Sequence, residues 1–490
     1  MTTVTTSRGV VRGDERDGVQ RYRGIRYATA ERFRPPVPVE AWAGELDATA
    51  FGPIAPQPPG AQFQSNELAQ AEDCLSLNVW TPGSDGSRPV LVWIHGGAFR
   101  TGSSASPLYE GTALAARGDV VVVSLNYRLG ALGFLAHPDL ADGDGPWANW
   151  GLLDQIEALR WVRDEIAAFG GDPGNVTIFG ESAGAASVTT LMAMPEAQGL
   201  FHKAIAQSGA PLTTKPEVAI ALAEQLVELT GAGDVAGLRD VPFEQLVSAQ
   251  AQVESPELGL RSFAPTVDRR SVTSAPFRLA RDGDIVPVPL LIGTNVDEWK
   301  LWAPMDPHSR DLDADRLRGR LDKRFPDGAA EQVITGVEAA RRARGEAANP
   351  NDLFFAIESE RIFRVPAVRL ADLHRTHAPV FTYLFEWGSP AMKGWLGACH
   401  GLEIAFVFGN QGRGELAAFT GSGPEADRLA ETMMDAWIAF ARSGDPSTES
   451  LPWPAHDPAQ RPTMVFGLES RLEHAPREEE RALIDAVLPG

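Results

Sequence analysis

Residues 176–188 read Val-Thr-Ile-Phe-Gly-Glu-Ser-Ala-Gly-Ala-Ala-Ser-Val. An apolar, β-branched run ends at Phe179. Gly180, Ser182 and Gly184 then make a Gly-x-Ser-x-Gly turn, and the small residues that follow suit the first turn of a helix. Strand, tight turn and helix in that order are what a nucleophile elbow requires. Glycine on both sides removes Cβ atoms where main chain and side chains would collide, so a strained turn can hold the Ser182 hydroxyl in open space. A lone serine is a weak nucleophile. It needs a base, a group that orients the base, and hydrogen-bond donors for the oxyanion.

Outward from that stretch, Val90–Ile94 (Val-Leu-Val-Trp-Ile) and Val120–Leu125 (Val-Val-Val-Val-Ser-Leu) are short apolar runs bounded by turn residues, as buried parallel strands are. From Leu152 to Ala168 apolar residues fall at 152, 153, 156, 159, 162 and 166, a helical period that ends at Gly170-Gly171. Such alternation predicts a parallel sheet with helices on both faces. The second half is less regular. Residues 215–250 and 310–345 read as helical, Gly345–Asp352 as a mobile loop, and Val288–Ile292 and Val380–Phe385 as strands again. No internal repeat interrupts the chain. We expect one α/β domain spanning residues 1–490, with a large central, mostly parallel sheet. Helical insertions at roughly 211–285 and 300–378 would roof the edge of the sheet where ligands bind.

The formal charge is −21, which disfavours nucleic acid as a partner because phosphates would be repelled. The start, Met1-Thr-Thr-Val-Thr-Thr-Ser-Arg-Gly, has no apolar leader, and no window offers about 18 uninterrupted apolar residues. We therefore expect no membrane span and a cytoplasmic protein. Two cysteines, Cys74 and Cys399, cannot make a disulfide framework, which fits a reducing compartment, and there is no CxxC metal motif.

Strand Val90–Ile94 runs into His95-Gly96-Gly97-Ala98-Phe99, where a glycine pair lets backbone amides approach a ligand. An amide from this loop together with that of Ala183, next to the nucleophile, is the expected oxyanion hole. His400, in Gly397-Ala-Cys-His-Gly-Leu-Glu403, follows the order serine, acid, histidine and is the candidate base. His95 is placed to shape the glycine loop; His137 and His202 read as surface or helix-end residues, and His456 and His474 lie in polar stretches. The candidate acids are Asp297 and Glu298, at the end of the strand Leu290-Leu-Ile-Gly-Thr-Asn-Val-Asp-Glu-Trp299, and composition does not choose between them.

These motifs together resemble the type-B carboxylesterase family, which holds the carboxylesterases, the cholinesterases and the bacterial para-nitrobenzyl esterases, and within it the para-nitrobenzyl esterase type. Arg23-Gly-Ile-Arg-Tyr-Ala28, Glu72-Asp-Cys-Leu-Ser-Leu-Asn78, Asn126-Tyr-Arg-Leu-Gly130, Asn149-Trp-Gly-Leu-Leu-Asp-Gln155, Phe169-Gly-Gly-Asp-Pro173 and Gly180-Glu-Ser-Ala-Gly184 follow in family order. The resemblance implies an α/β-hydrolase fold. It implies Ser182 as nucleophile, His400 as base and Glu298, in Asp-Glu-Trp, as triad acid. It implies an oxyanion hole of the Gly97, Ala98 and Ala183 amides, with Glu181, Ser208 and Glu403 steadying the triad.

Departures from the family pattern narrow the substrate. Arg26 replaces a proline, Ala98 a glycine and Trp299 a glycine. Cys74 matches a cysteine that is disulfide-bonded in secreted members, but its partner position holds Ala55. The stretch from Pro56 to Glu72 is short and lacks the tryptophan that holds choline in cholinesterases, so a quaternary ammonium ester is disfavoured. Phe99 and Trp299 are candidate pocket walls; Trp302, Trp387 and Trp395 are further aromatic candidates. The expected function is hydrolysis of small to medium aryl and alkyl esters through an acyl-enzyme, with a small-molecule ester as the partner and no metal or organic cofactor. An amidase, carbamate hydrolase or acyltransferase would use the same triad; a catalytically dead binding protein would have lost it.

Overall fold

Val90, Leu91, Val92, Trp93 and Ile94 are all without exposed surface, as are Val121, Val122, Val123 and Leu125. Runs that do not alternate bury both faces of a strand, and that is the signature of an inner parallel strand. The computed structural model describes residues 1–59, 68–253, 262–306, 308, 310–326 and 328–489. Residues 60–67 of the Pro56–Glu72 stretch, and residues 254–261, 307, 309 and 327 of the two expected insertions, lie outside the described residues. The chain divides into two compact units: Met1–Ala206 with Pro211–Pro289 and Trp437–Asp445, and Gln207–Ala210 with Leu290–Ala436 and Pro446–Gly490.

The longer strands of the first unit are β1 (Thr2–Thr6), β2 (Gly9–Arg16), β3 (Val19–Arg26), β4 (Ser76–Thr81), β5 (Arg88–Ile94), β6 (Val121–Leu125), β7 (Gly171–Glu181) and all but the last residue of β8 (Lys203–Gln207). They lie side by side in the order β1-β2-β3-β4-β6-β5-β7-β8. The first strands pair antiparallel, whereas β5 pairs parallel with both β6 and β7, with Val90 opposite Val121 and Val176. Helix α1 (Trp150–Glu165) carries the expected periodic stretch and passes into a 3-10 turn, Ile166–Phe169. Gly170 ends it with φ 76°, a left-handed conformation in which a Cβ would meet the Gly83 carbonyl at 2.4 Å. Helix α2 (Ala183–Leu191) leaves the elbow.

The motifs outside the elbow form a buried polar frame in this unit. Asn78 Oδ1 accepts from the Gly24 amide at 2.9 Å, and its Nδ2 donates to the Ser104 and Ser124 hydroxyls at 2.9 and 3.0 Å. Asn126 Oδ1 accepts from the Ser104 amide at 2.8 Å, and the Tyr27 hydroxyl donates to the Asn126 carbonyl at 2.7 Å. Arg128 is paired bidentately with Asp154 on α1, at 2.8 and 2.7 Å, and its backbone amide donates to the same carboxylate at 3.0 Å. Both side chains are buried.

In the second unit β9 (Leu290–Asn295), β10 (Val380–Phe385), β11 (Pro462–Phe466) and β12 (Arg471–His474) follow in order, parallel up to β11 and antiparallel at β12. The expected loop at Gly345–Asp352 is shorter in the structure. It is loop only to Asn349, whose side-chain oxygen accepts from the amides of Asn351 and Asp352 at 3.1 Å each. That cap, with Pro350 in the first helical position, starts the helix Pro350–Ser359. A carboxamide followed by proline was read as a turn when it is equally a helix start.

Arg128→Met leaves the buried Asp154 charge without its partner, so the variant should lose about 3–5 kcal/mol of folding stability. Urea denaturation at neutral pH measures this; a loss below about 1 kcal/mol would show that the pair does not carry the frame.

Candidate active site

The elbow is built from close backbone approach. Ser182 follows β7 and precedes α2 with φ 58° and ψ −121°, a strained conformation for a residue with a side chain. Its side chain makes no capping bond to α2, so the hydroxyl is not spent on the helix. A Cβ on Gly184 would lie 2.0 Å from the Ile94 carbonyl oxygen, and one on Gly180 would lie 2.6 Å from the same oxygen. A Cβ on Gly96 would lie 2.7 Å from the Glu181 carbonyl and 3.0 Å from Ser182 Cβ. The glycines therefore let β7, the elbow and the end of β5 nest against one another.

The loop after β5 is equally constrained. Gly97, Ala98 and Phe99 have φ of 112°, 55° and 60° in succession. The turn is closed by the Arg100 and Thr101 amides, each donating to the Gly97 carbonyl at 3.0 Å. Among the described residues, no acceptor engages the amides of Gly97, Ala98 or Ala183. Gln57 braces the loop by accepting from the Gly102 amide at 2.9 Å and donating to its carbonyl at 3.0 Å. His95 has the shaping role expected of it: Nδ1 lies 2.9 Å from the Gly96 carbonyl, and the ring stacks on Tyr127 at 4.5 Å. Burial pushes the His95 imidazole down to about 4, against the small upward effect of its bond to the Gly96 carbonyl, so it stays neutral at physiological pH. Phe99 has no exposed surface and packs on Phe134 at 4.8 Å.

In the second unit the loops after β9 and around His400 meet. His400 Nδ1 lies 2.6 Å from Glu298 Oε2, with Glu298 fully buried and His400 nearly so. The other oxygen of Glu298 accepts from the Asn295 amide at 2.8 Å. The two adjacent acids have different partners. Glu298 takes the imidazole, while Asp297 clasps the loop that presents it: Oδ2 accepts from the Ala398 amide at 3.1 Å and Oδ1 pairs with Lys300 at 2.8 Å. Glu403 is also fully buried, and its two oxygens accept from Asn295 Nδ2 at 2.6 Å and Gln207 Nε2 at 3.3 Å. Ser208, at φ 50°, donates its amide to the Gly293 carbonyl at 2.8 Å. Trp299 donates its amide to Ser359 Oγ at 3.0 Å and packs among the apolar residues of the Pro350–Ser359 helix.

Of the other aromatic candidates, Trp302 lies 4.8 Å from the His400 ring, whereas Trp395 packs on Phe355 and under Arg310, and Trp387 donates to the Thr420 carbonyl. Asn295, Gln57, Ser359 and Phe363 were not singled out from the sequence. Asn295 sat inside the quoted strand, where an asparagine at a strand end reads as a turn former. Cys74 and Cys399 are free and buried, and burial raises both thiols. Among the described residues no group of three or more His, Cys, Asp or Glu side chains could hold a metal ion, and no helix is long and apolar enough to cross a membrane.

A strained serine between strand and helix, a glycine loop after β5 with unengaged amides and a buried carboxylate–imidazole pair on later loops are the parts of a serine hydrolase of the α/β class. The chain belongs to the carboxylesterase family, whose model matches residues 1–484. It is 40% identical to the para-nitrobenzyl esterase of Bacillus subtilis (strain 168) over 98% of this chain and 97% of that one. It is 39% identical to the phenmedipham hydrolase of Pseudarthrobacter oxydans over 93% of each chain. Among solved structures, the Geobacillus stearothermophilus carboxylesterase EST55 matches with a TM-score of 0.87 at 40% identity, over 99% of this chain and 100% of that one. The fold is accordingly an α/β-hydrolase fold with a large, mostly parallel sheet, and the protein is a serine carboxylesterase acting on small-molecule esters.

The depressed His95 imidazole makes stability fall with acid. The unfolded chain takes up this proton near pH 6.5 and the folded one only near 4, so the contribution is complete above 6.5 and is lost as pH falls toward 4, by roughly 3 kcal/mol. Urea midpoints followed across that range should fall less steeply in His95→Gln; equal slopes would remove His95 as the source.

Proposed function

We propose that Ser182 attacks the ester carbonyl, that His400 takes its proton, and that Glu298 fixes the imidazole tautomer and stabilises its charged form. The observation that carries this reading is the buried His400–Glu298 contact of 2.6 Å. With Nδ1 donating to the carboxylate, Nε2 is the nitrogen left to act as base. The strained Ser182 and the unengaged amides of Gly97, Ala98 and Ala183 supply the nucleophile and the oxyanion donors. Those donors matter because they meet charge that exists only in the tetrahedral intermediate, each worth about 3–4 kcal/mol. His400 then returns the proton to the leaving alcohol, and water hydrolyses the acyl-enzyme by the same route. Glu181, Ser208 and Glu403 act as steadying groups around this set.

We infer a broad range of small to medium aryl and alkyl esters, supported by the kinship with a para-nitrobenzyl esterase. We read the whole chain as one catalytic domain, because the proposed triad draws on residues from 182 to 400 and the family match runs through both units. The cytoplasm is the proposed location, supported by two cysteines that are both free.

A fluorophosphonate should add covalently to Ser182, seen by intact mass and absent in Ser182→Ala; no adduct on folded protein would end the serine-nucleophile reading. On p-nitrophenyl acetate, Glu298→Gln should lower kcat by about 10³- to 10⁴-fold, and Asp297→Asn by no more than about tenfold. The reverse ranking would show that Asp297 is the acid.

A further inference from the structure

Between the helices Pro350–Ser359 and Val365–His374 the chain makes one π-helical turn, Glu360–Arg364, in which the Val365 amide reaches back to the Glu360 carbonyl. Pro366 has no amide to give the carbonyl four residues earlier, and its ring would crowd that carbonyl, so the regular ladder fails here. Such turns change the direction in which the enclosed side chains point, and they are concentrated at functional sites. This one sends Phe363 to the candidate base. The Phe363 ring lies 4.7 Å from the His400 imidazole, centroid to centroid, with an interplanar angle of 42°. Trp302 meets the same imidazole at 4.8 Å and stacks on Phe363 at 5.8 Å and 9°.

The residue before the turn reaches the acid. Ser359 Oγ accepts from the amide of Trp299, next to Glu298, at 3.0 Å and donates to the Phe355 carbonyl at 2.7 Å. The turn is itself locked: Arg364 pairs with Glu360 at 3.0 Å and donates to the Pro476 carbonyl. Glu360, Arg364 and Phe363 are all buried.

We propose that Ser359–Phe363 is the positioning element of the acid–base pair: Phe363, with Trp302, confines the His400 ring and favours its charged form, while Ser359 holds the loop bearing Glu298. This rests on His400 being the general base. Aromatic faces attract a cation through the ring quadrupole. The imidazolium forms only as the serine gives up its proton, so the attraction grows along the reaction and acts on kcat rather than on substrate binding. Among the described residues of this unit, the charged groups on the elements that meet the imidazole are Glu298, the Asp297–Lys300 pair and Glu403, and on the turn's own helix Glu358 with Arg361 and Arg324, and Glu360 with Arg364. None of these is altered by replacing Phe363.

The test is the pH dependence of kcat and KM for p-nitrophenyl acetate in Phe363→Leu, Phe363→Tyr, Trp302→Leu and His400→Ala. Leucine keeps apolar volume and removes the quadrupole. Phe363→Leu should lower kcat by about five- to twentyfold with KM within about twofold, and should move the acid limb of kcat/KM down by about half a pH unit. Phe363→Tyr should restore both. A KM rise alone would make Phe363 a substrate wall, and an unchanged limb with only a lower melting temperature would make it structural; either overturns the proposal. Trp302→Leu, in a partly exposed position, carries the same readouts should Phe363→Leu fail to fold. If His400→Ala keeps activity, the general-base reading itself fails. If it is inactive while Phe363→Leu and Trp302→Leu match the unsubstituted enzyme, only the positioning proposal fails.

Discussion

The first unit depends on one steric constraint: β5 and the elbow approach each other closer than side chains allow. The Ile94 carbonyl faces both Gly180 and Gly184, and Gly96 faces the Glu181 carbonyl and Ser182. Any Cβ at these glycines would sit inside van der Waals contact of main chain, which cannot move without breaking the β5–β7 ladder. The same nesting accompanies φ 58° at Ser182 and brings Gly96, at the start of the loop after β5, against its side chain. The proposed nucleophile and the glycine loop proposed to bind the oxyanion are thus held by one packing arrangement. The frame of Asn78, Asn126, Arg128 and Asp154 supplies the rigidity that a strained turn needs, since strain persists only where its surroundings over-determine it.

The elbow was legible because its chemistry is local. Glycine at two fixed positions, a β-branched run before and small residues after are all contiguous, and the structure places Ser182 between β7 and α2 as that reading requires. The strands Val90–Ile94 and Val380–Phe385 were legible for the same reason: full burial leaves no alternation to misread. The choice between Asp297 and Glu298 was not legible from composition, because neighbouring residues on a turn point in different directions and only the backbone path decides which one meets the imidazole. Family resemblance implies Glu298, and in the structure it is Glu298 that lies 2.6 Å from His400 Nδ1.

Other features were hidden because they are set by distant residues. Phe363 reaches His400 only through a π-turn, and nothing in Glu-Arg-Ile-Phe-Arg announces one except the proline two residues on. Gln57 braces the glycine loop across 45 positions of sequence, which no window of local periodicity can show. The loop reading of Gly345–Asp352 failed for the opposite reason. Asn-Pro is a local signal with two meanings, and the apolar run Leu353-Phe354-Phe355 decides between them by giving a helix something to bury.

The buried Glu298–His400 pair raises an electrostatic problem that Asn295 answers. Glu298 and Glu403 are both without exposed surface, and a buried carboxylate is costly unless its oxygens are satisfied. Asn295 serves both: its backbone amide reaches Glu298, and its side-chain Nδ2 reaches Glu403 and the Cys399 carbonyl, the last at 2.9 Å. An aspartate there would keep the backbone donor but replace the Nδ2 donor with a third carboxylate, which would repel Glu403 where the amide now donates to it. A carboxamide is the side chain that donates here without adding charge. It also ties the His400 loop, through the Cys399 carbonyl, to the strand end that carries the acid. The Glu298–His400 contact is thereby braced by one residue, and the geometry of the His400 imidazole is set by β9 as much as by its own loop.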